Sequence, residues 1–224
     1  MNRLEVHNVT KVFGDTTILN NVDFTCEMGE IIGLFGRNGS GKSTLLKLLF
    51  GTLKADSISI KINTEILEPK AIIASGKIGY LPQDSFLPKE LKVRQVIPMF
   101  YGGSSDQDLI FGAPYVHRFD AKRVGQLSLG QLRYLELLLV GNLEHPFLLL
   151  DEPFSMIEPL YKDAIKTLLK KLTFYKGIII TDHYFEDVLD ITTKNYLLKD
   201  AKLIQVNSKQ ELVAMNYLTK TMID

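Results

Sequence analysis

What the sequence lacks narrows its partners before any motif is read. There is no basic excess: 26 Lys and Arg balance 26 Asp and Glu over 224 residues. The field on which phosphate-backbone binding relies is therefore missing, and no direct contact with nucleic acid is expected. A single cysteine, Cys26, has no partner for an intrachain disulfide. The opening MNRLEVHNV has neither the basic nor the apolar region of a signal peptide, so a reducing cytoplasm is expected. Long apolar runs are also missing. The nearest, residues 132–140, is interrupted by Arg133 and Glu136 and followed by Gly141, so membrane contact is expected only through a partner. Internal repeats, low-complexity runs and linkers are absent as well, and the length suits one α/β unit with a small subdomain.

What is present is organised around residues 36–44, GRNGSGKST, which directly follow the apolar run 31–35, IIGLF. Gly36, Gly41, Lys42 and Ser43 hold the fixed places of G-x-x-x-x-G-K-[ST], and Leu45, Leu46, Leu48 and Leu49 continue at helical spacing. A buried strand is predicted to turn through glycines into a helix whose positive end and successive N–H groups face one anion. The expected ligand is a nucleoside triphosphate, cradled by Gly36, Arg37, Asn38, Gly39, Ser40, Gly41, Lys42, Ser43 and Thr44. Lys42 would reach the β- and γ-phosphates, and the Ser43 hydroxyl would hold Mg²⁺.

Around this stretch the chain reads as mixed α/β. Residues 4–9 and 18–25 are β-like and flank a turn at Gly14 and Asp15, which predicts an antiparallel edge sheet. Residues 57–62 (SISIKI) alternate as a half-buried strand, and 78–81 (IGYL) form another that ends at Pro82. Gln83 then stands where a parallel strand would deliver a side chain to the phosphate edge. From 86 to 119 prolines, glycines, serines and amphipathic pieces such as 91–100 predict a mostly helical insert, with Phe86 and Leu87 as exposed apolar positions. LSLGQ at 127–131 opens an apolar helix over 132–143 with Ser128 as its cap.

FLLL at 147–150 is a buried strand followed at once by Asp151 and Glu152. Asp151 is placed to complete a Mg²⁺ shell and Glu152 to polarise an attacking water. An amphipathic helix over 160–172 precedes another buried strand, GIIIT at 177–181, which delivers Asp182 and His183 to the same edge. His7, His117 and His145 have no such setting. The tail reads as strand 195–199, strand 202–206 and a last helix from Lys209 with Met215 and Leu218 inward.

In this order the motifs resemble the nucleotide-binding domain of ABC transporters over nearly the whole chain. The resemblance implies Phe13 as the aromatic contact to adenine, residues 36–44 as Walker A, Gln83 as the Q-loop residue, LSLGQ as the signature, LLLDE at 148–152 as Walker B and His183 as the switch histidine. Within the family, LLLDEPF at 148–154 and ITDHYFEDVLDI at 180–191 resemble the ATPase of lipopolysaccharide exporters.

The implied fold is a P-loop NTPase core, a mainly parallel sheet flanked by helices, with an antiparallel β edge sheet. Residues 1–224 would form one domain, with 86–145 as an inserted helical subdomain. The implied activity is hydrolysis of ATP with Mg²⁺ in a head-to-tail homodimer, at the cytoplasmic face of the membrane and bound to transmembrane permease subunits. Glu152, His183, Gln83 and Lys42 would be catalytic, and Ser43, Gln83 and Asp151 would hold the metal. Ser128, Gly130 and Gln131 would meet the nucleotide of the second copy. Two readings of another class are an ABC-type ATPase working on nucleic acid or ribosomes and a hydrolysis-impaired regulator. The chain lacks the duplicated domain or basic surface of the first, and keeps the catalytic set missing from the second.

Two positions depart from the family's pattern: Leu129 stands where the signature has Gly, and Glu158 stands where the loop after Pro153 ends in Asp. If residue 129 needs a positive φ, leucine would cost on the order of 1–2 kcal/mol there.

Overall fold

A computed structural model describes residues 2–219. Strands β1 (Arg3–Phe13) and β2 (Thr16–Glu27) form a long antiparallel ribbon. The chain continues through β3 (Ile31–Phe35), helix α1 (Lys42–Phe50), β4 (Ser57–Ile62), β5 (Glu65–Leu67), α2 (Ile72–Ser75) and β6 (Ile78–Leu81). Helices α3 (Val93–Phe100), α4 (Ser104–Phe111) and α5 (Leu129–Gly141) precede β7 (Phe147–Asp151) and α6 (Pro159–Leu172). Then come β8 (Gly177–Thr181), α7 (Phe185–Leu189), β9 (Lys194–Lys199), β10 (Lys202–Val206) and α8 (Lys209–Ala214).

Two sheets result. The antiparallel one has the order β2-β1-β4-β5, and the larger one has the order β10-β9-β3-β8-β7-β6. Neighbours in the larger sheet run parallel except at the β10–β9 edge. β3, β7 and β8 are buried at every residue, as strands covered on both faces must be.

Alternation along these strands divides the core. Leu148, Leu150, Ile178 and Ile180 pack toward α5 and α6, while Phe147, Leu149 and Ile179 pack toward α1 and the antiparallel sheet. The parallel strands all end on one side, where ligands of such sheets bind. Among the described residues no helix is long and apolar enough to cross a membrane.

Three local expectations are corrected. Leu87 is buried, 5% exposed, because it packs into the cluster formed by Val93, Val96 and Ile97 of α3, whereas Phe86 is 41% exposed. The apolar helix begins three residues earlier than expected, at Leu129, because Ser128 caps it by accepting the Gln131 N–H at 3.2 Å. α8 ends at Ala214, and the left-handed Asn216 turns the chain so that Leu218 reaches the core from outside the helix, with Met215 half-buried.

His145 has a structural place. It fills the space that Gly79 of β6 leaves, where an added Cβ would come 2.3 Å from its Nε2. Burial, aided by Lys176, pushes its pKa down to about 3. The unfolded chain binds that proton near 6.5 and the folded chain only near 3, so folding is favoured above pH 6.5 and weakened as pH falls through this window. Equilibrium urea unfolding should lose up to about 1.4 kcal/mol per pH unit across it. His145→Gln should flatten that slope, and an unchanged slope would exclude His145 as its source.

Candidate functional site

The glycines of residues 36–44 let the backbone fold back on itself. Gly41 caps α1 at φ 107, and a Cβ there would lie 2.6 Å from Ile18 Cγ2. Lys42, the first residue of the helix, curls back so that its Nζ donates to Gly36 O at 2.7 Å and Arg37 O at 3.3 Å. Burial depresses the Lys42 pKa, while Glu152, Asp151 and Asp182 pull it the other way. The ammonium thus stands among backbone carbonyls at the rim, facing carboxylates.

Those carboxylates arrive on neighbouring strand ends. Asp151 ends β7, buried, and its Oδ1 accepts from Ser43 Oγ at 3.0 Å and Thr181 Oγ1 at 2.8 Å. Its Oδ2 accepts from Tyr80 Oη at 3.2 Å. Burial and the adjacent carboxylate hold the Tyr80 hydroxyl well above its usual range, so it donates.

Glu152 follows in the left-handed region, φ 54, and its N–H donates to Thr181 O at 2.8 Å. This uncommon backbone state turns its side chain off the strand line and into the cleft. Its Oε1 lies 2.7 Å from His183 Nε2, and its Oε2 accepts from Gln83 Nε2 at 3.0 Å and Ser155 Oγ at 3.1 Å.

A cleft of about 550 Å³ joins these groups. It is lined by Phe13, Ile18, residues 38–44, Gln83, Glu152 and His183. Hydroxyl and carboxylate oxygens at Ser43 and Asp151 are the donor chemistry that Mg²⁺ takes. Among the described residues no cluster of three His, Cys, Asp or Glu could hold a metal alone. A cation here would need oxygens from a phosphate as well, which is how Mg²⁺ is ordinarily bound beside nucleotides.

Gly36 and Arg37, named for the phosphate cradle, do not line the cleft, and neither do the three residues expected to meet the nucleotide of a second copy. Arg37 turns outward, and its guanidinium donates to Asn216 O at 2.9 Å. Ser128, Gly130 and Gln131 do not line the cleft; they form the capped start of α5. Gly130 packs so closely on Tyr161 and Glu158 that a Cβ would come within 2.8 Å of the ring. Leu129 is the first helical residue, 58% exposed and not in the left-handed region. The strain expected for a leucine at positive φ is therefore absent, and Leu129→Gly has no such strain to relieve.

Four supporting residues have no motif that announces them. Tyr80 and Thr181 act on Asp151 from the strands on either side of β7. Asp182 is fully buried and accepts from Phe154 N at 2.6 Å and Tyr184 N at 3.0 Å, which ties the two loops beyond β7 and β8. Arg133 reaches from α5 to donate to Pro82 O at 2.6 Å and to Asp151 O, and it lies 3.4 Å from Glu136. For Asp182 the one available signal is its place between a buried strand and His183. For Arg133 the signals are a charge inside an apolar helix and its place after the signature, where the resemblance implies a basic residue.

Comparison with known proteins gives a consistent set. The sequence profile of the family described as ABC transporter matches residues 19–155. The Nod factor export ATP-binding protein I of Burkholderia lata is 31% identical over 94% of this chain and 72% of its own length. The lipopolysaccharide export system ATP-binding protein LptB of Haemophilus influenzae is 28% identical over 95% of this chain and 93% of its own. A nucleotide-free ATP-binding cassette from an ABC transporter superposes with a TM-score of 0.83 over 99% of this chain and 98% of that one, at 21% identity. An ATP-binding subunit of an ABC transporter gives 0.79 over 96% and 93%, at 22%. These two likenesses carry the fold.

Arg133 and Glu136 are both buried, and burial lowers the pKa of the first and raises that of the second. Arg133→Met, which strands a buried carboxylate, should cost about 3–5 kcal/mol of unfolding free energy in urea. Adding Glu136→Leu should recover part of that loss. A single variant as stable as the parent would remove the guanidinium from its bracing role.

Proposed function

The chain belongs to the ABC transporter family, as an ATP-binding and ATP-hydrolysing subunit, and on that premise we propose how its cleft works and what it joins. Residues 1–224 act as one ATPase domain in which 86–145 form a helical subdomain inserted in the α/β core. The cleft takes ATP with adenine on Phe13 and the triphosphate on residues 36–44. Lys42 exchanges its carbonyl partners for the β- and γ-phosphates. Ser43, Asp151 and Gln83 would hold a Mg²⁺ ion, which would neutralise developing phosphate charge.

The observation that carries the reading is the set of bonds on Glu152 at the mouth of that cleft. Glu152 accepts the proton of the water that attacks the γ-phosphate. His183 and Gln83 hold the carboxylate in line and keep both its oxygens occupied until a water arrives. Ser155 secures it from behind.

Ser128, Gly130 and Gln131 lie outside their own cleft, and they serve the nucleotide of a second copy in a head-to-tail homodimer. A capped helix start with free N–H groups suits a phosphate. The partner is a transmembrane permease at the cytoplasmic face of the membrane. Relatives named for Nod factor export and lipopolysaccharide export support an exporter. Phe86, exposed and packed on Phe100 at 6.3 Å between centroids, is the docking residue of the insert.

Glu152→Gln keeps the shape and loses the base. Turnover should fall by about 10²–10⁴-fold while ATP still binds, and size exclusion should detect an ATP-dependent dimer. Parental turnover in this variant would take Glu152 out of the chemistry. Phe86→Glu should abolish copurification with solubilised membrane partners and leave basal hydrolysis within about twofold, since a charge in a buried docking contact is costly. Loss of both properties would mean that Phe86 belongs to the folded core.

A further inference from the structure

Phe13 ends β1 at a place where the strand does not run regularly. The pairing of β1 with β2 shifts register between Lys11 and Val12, and its pairing with β4 shifts between His7 and Thr10. Such irregularities re-aim the side chain beyond them. One residue outside the strand holds all three positions before Phe13. Asp56, just ahead of β4, accepts the Val12 N–H on Oδ2 at 2.7 Å, and its Oδ1 lies 3.5 Å from Lys11 Nζ. Its own N–H donates to Thr10 O at 3.1 Å. The Val12 N–H, with help from Lys11, keeps the Asp56 carboxyl below its usual range.

Lys11 lies two residues before Phe13, and its side chain reaches the Phe13 ring. Its ammonium sits 4.9 Å from the Phe13 ring centroid, and its side chain is largely buried for a lysine next to an exposed aromatic. A cation over a ring face is attracted to it, more so when partly desolvated. Phe13 itself is 48% exposed and lines the nucleotide cleft.

We infer that Asp56 and Lys11 form a brace that presents Phe13 to the base of the incoming nucleotide, which makes them positioning residues for ATP capture. The inference rests on the reading that Phe13 stacks on adenine. Lys11 covers one face of the ring and leaves the other to the base. Asp56 fixes Lys11 and the bulge together, so the ring is held before binding instead of being ordered by it, and the entropy loss on binding is smaller. Neither residue lines the cleft itself, where residues 38–44, Gln83, Glu152 and His183 stand. The brace therefore acts on affinity for the base and not on the rate of the bound state.

Titrations with MgATP and with inorganic triphosphate, which lacks a base, separate this from a general effect on the fold. Asp56→Ala and Lys11→Met should raise the Kd and KM for MgATP by about three- to tenfold, a fraction of a full stacking contact. kcat at saturating ATP and affinity for triphosphate should stay at parental values. Lys11→Arg, which keeps a cation over the ring, should restore ATP affinity. Phe13→Ala should also weaken ATP binding, and adding Asp56→Ala to it should cost nothing more, because the two act as one unit. Parental ATP affinity in Asp56→Ala beside a weakened Phe13→Ala would overturn the brace alone, and so would an equal loss for triphosphate. Parental ATP affinity in Phe13→Ala would overturn the stacking itself.

Discussion

One guanidinium ties together the strand ends that carry Gln83 and Glu152. Arg133 donates to Pro82 O and to Asp151 O, and the residues that follow those carbonyls are Gln83 and Glu152. Because the donor fork is planar and rigid, the spacing of the two side chains at the mouth of the cleft is fixed by a single group. A lysine could satisfy one carbonyl as a point charge but could not set the distance between two. The arrangement requires a charge inside an otherwise apolar helix, and Glu136 one turn later makes it tolerable by pairing with it. Glu136 in turn accepts the Phe86 N–H at 3.3 Å. The segment from Pro82 to Phe86 is thereby held at both ends by one buried ion pair, and the exposed Phe86 is two side chains away from the backbone of β7.

The same economy governs Glu152. Its left-handed backbone is unfavourable for a residue with a Cβ, and it persists because Thr181 O fixes the N–H while three side chains fix the carboxylate. Strain in the backbone therefore does positional work: an extended Glu152 would continue the line of β7 and miss the cleft. Asp151, one residue earlier, needs no such turn, because the strand already points it at Ser43. Two adjacent carboxylates thus reach different tasks from one strand end, separated by a single change of φ.

Much of this was legible in the sequence for definite reasons. Strands at 57–62, 78–81 and 177–181 carry either strict alternation or mainly apolar runs bounded by turns, and they lie where that pattern puts them. The phosphate loop was legible because glycines and Lys-Ser-Thr at fixed spacing admit few other structures. What could not be read depends on contacts between distant segments. Arg37 belongs to the loop motif, yet its direction is decided by Asn216, 179 residues later. Phe86 and Leu87 are neighbours of similar character in a proline-rich stretch without a period, so only the packing of α3 distinguishes the buried one. Leu129 was read through the glycine it replaces. In this chain the Ser128 cap starts the helix one residue before it, and a helical position accepts leucine without strain.

The electrostatics of the cleft complete the account. The chain as a whole carries no net charge, but locally Glu152, Asp151 and Asp182 act on the ammonium of Lys42, and Asp151 and Asp182 also act on the Arg133 guanidinium. Burial disfavours the charged form of Lys42, and those carboxylates supply the main opposing pull. An anion entering alone would meet Lys42 and the N–H groups of the loop, but also carboxylates that repel it. On the proposed reading, a triphosphate accompanied by a divalent cation would face no such conflict, since the phosphates would go to the loop and the cation to the oxygens of Ser43 and Asp151. The carboxylates on the strand ends would then favour the metal complex of the nucleotide over the free nucleotide.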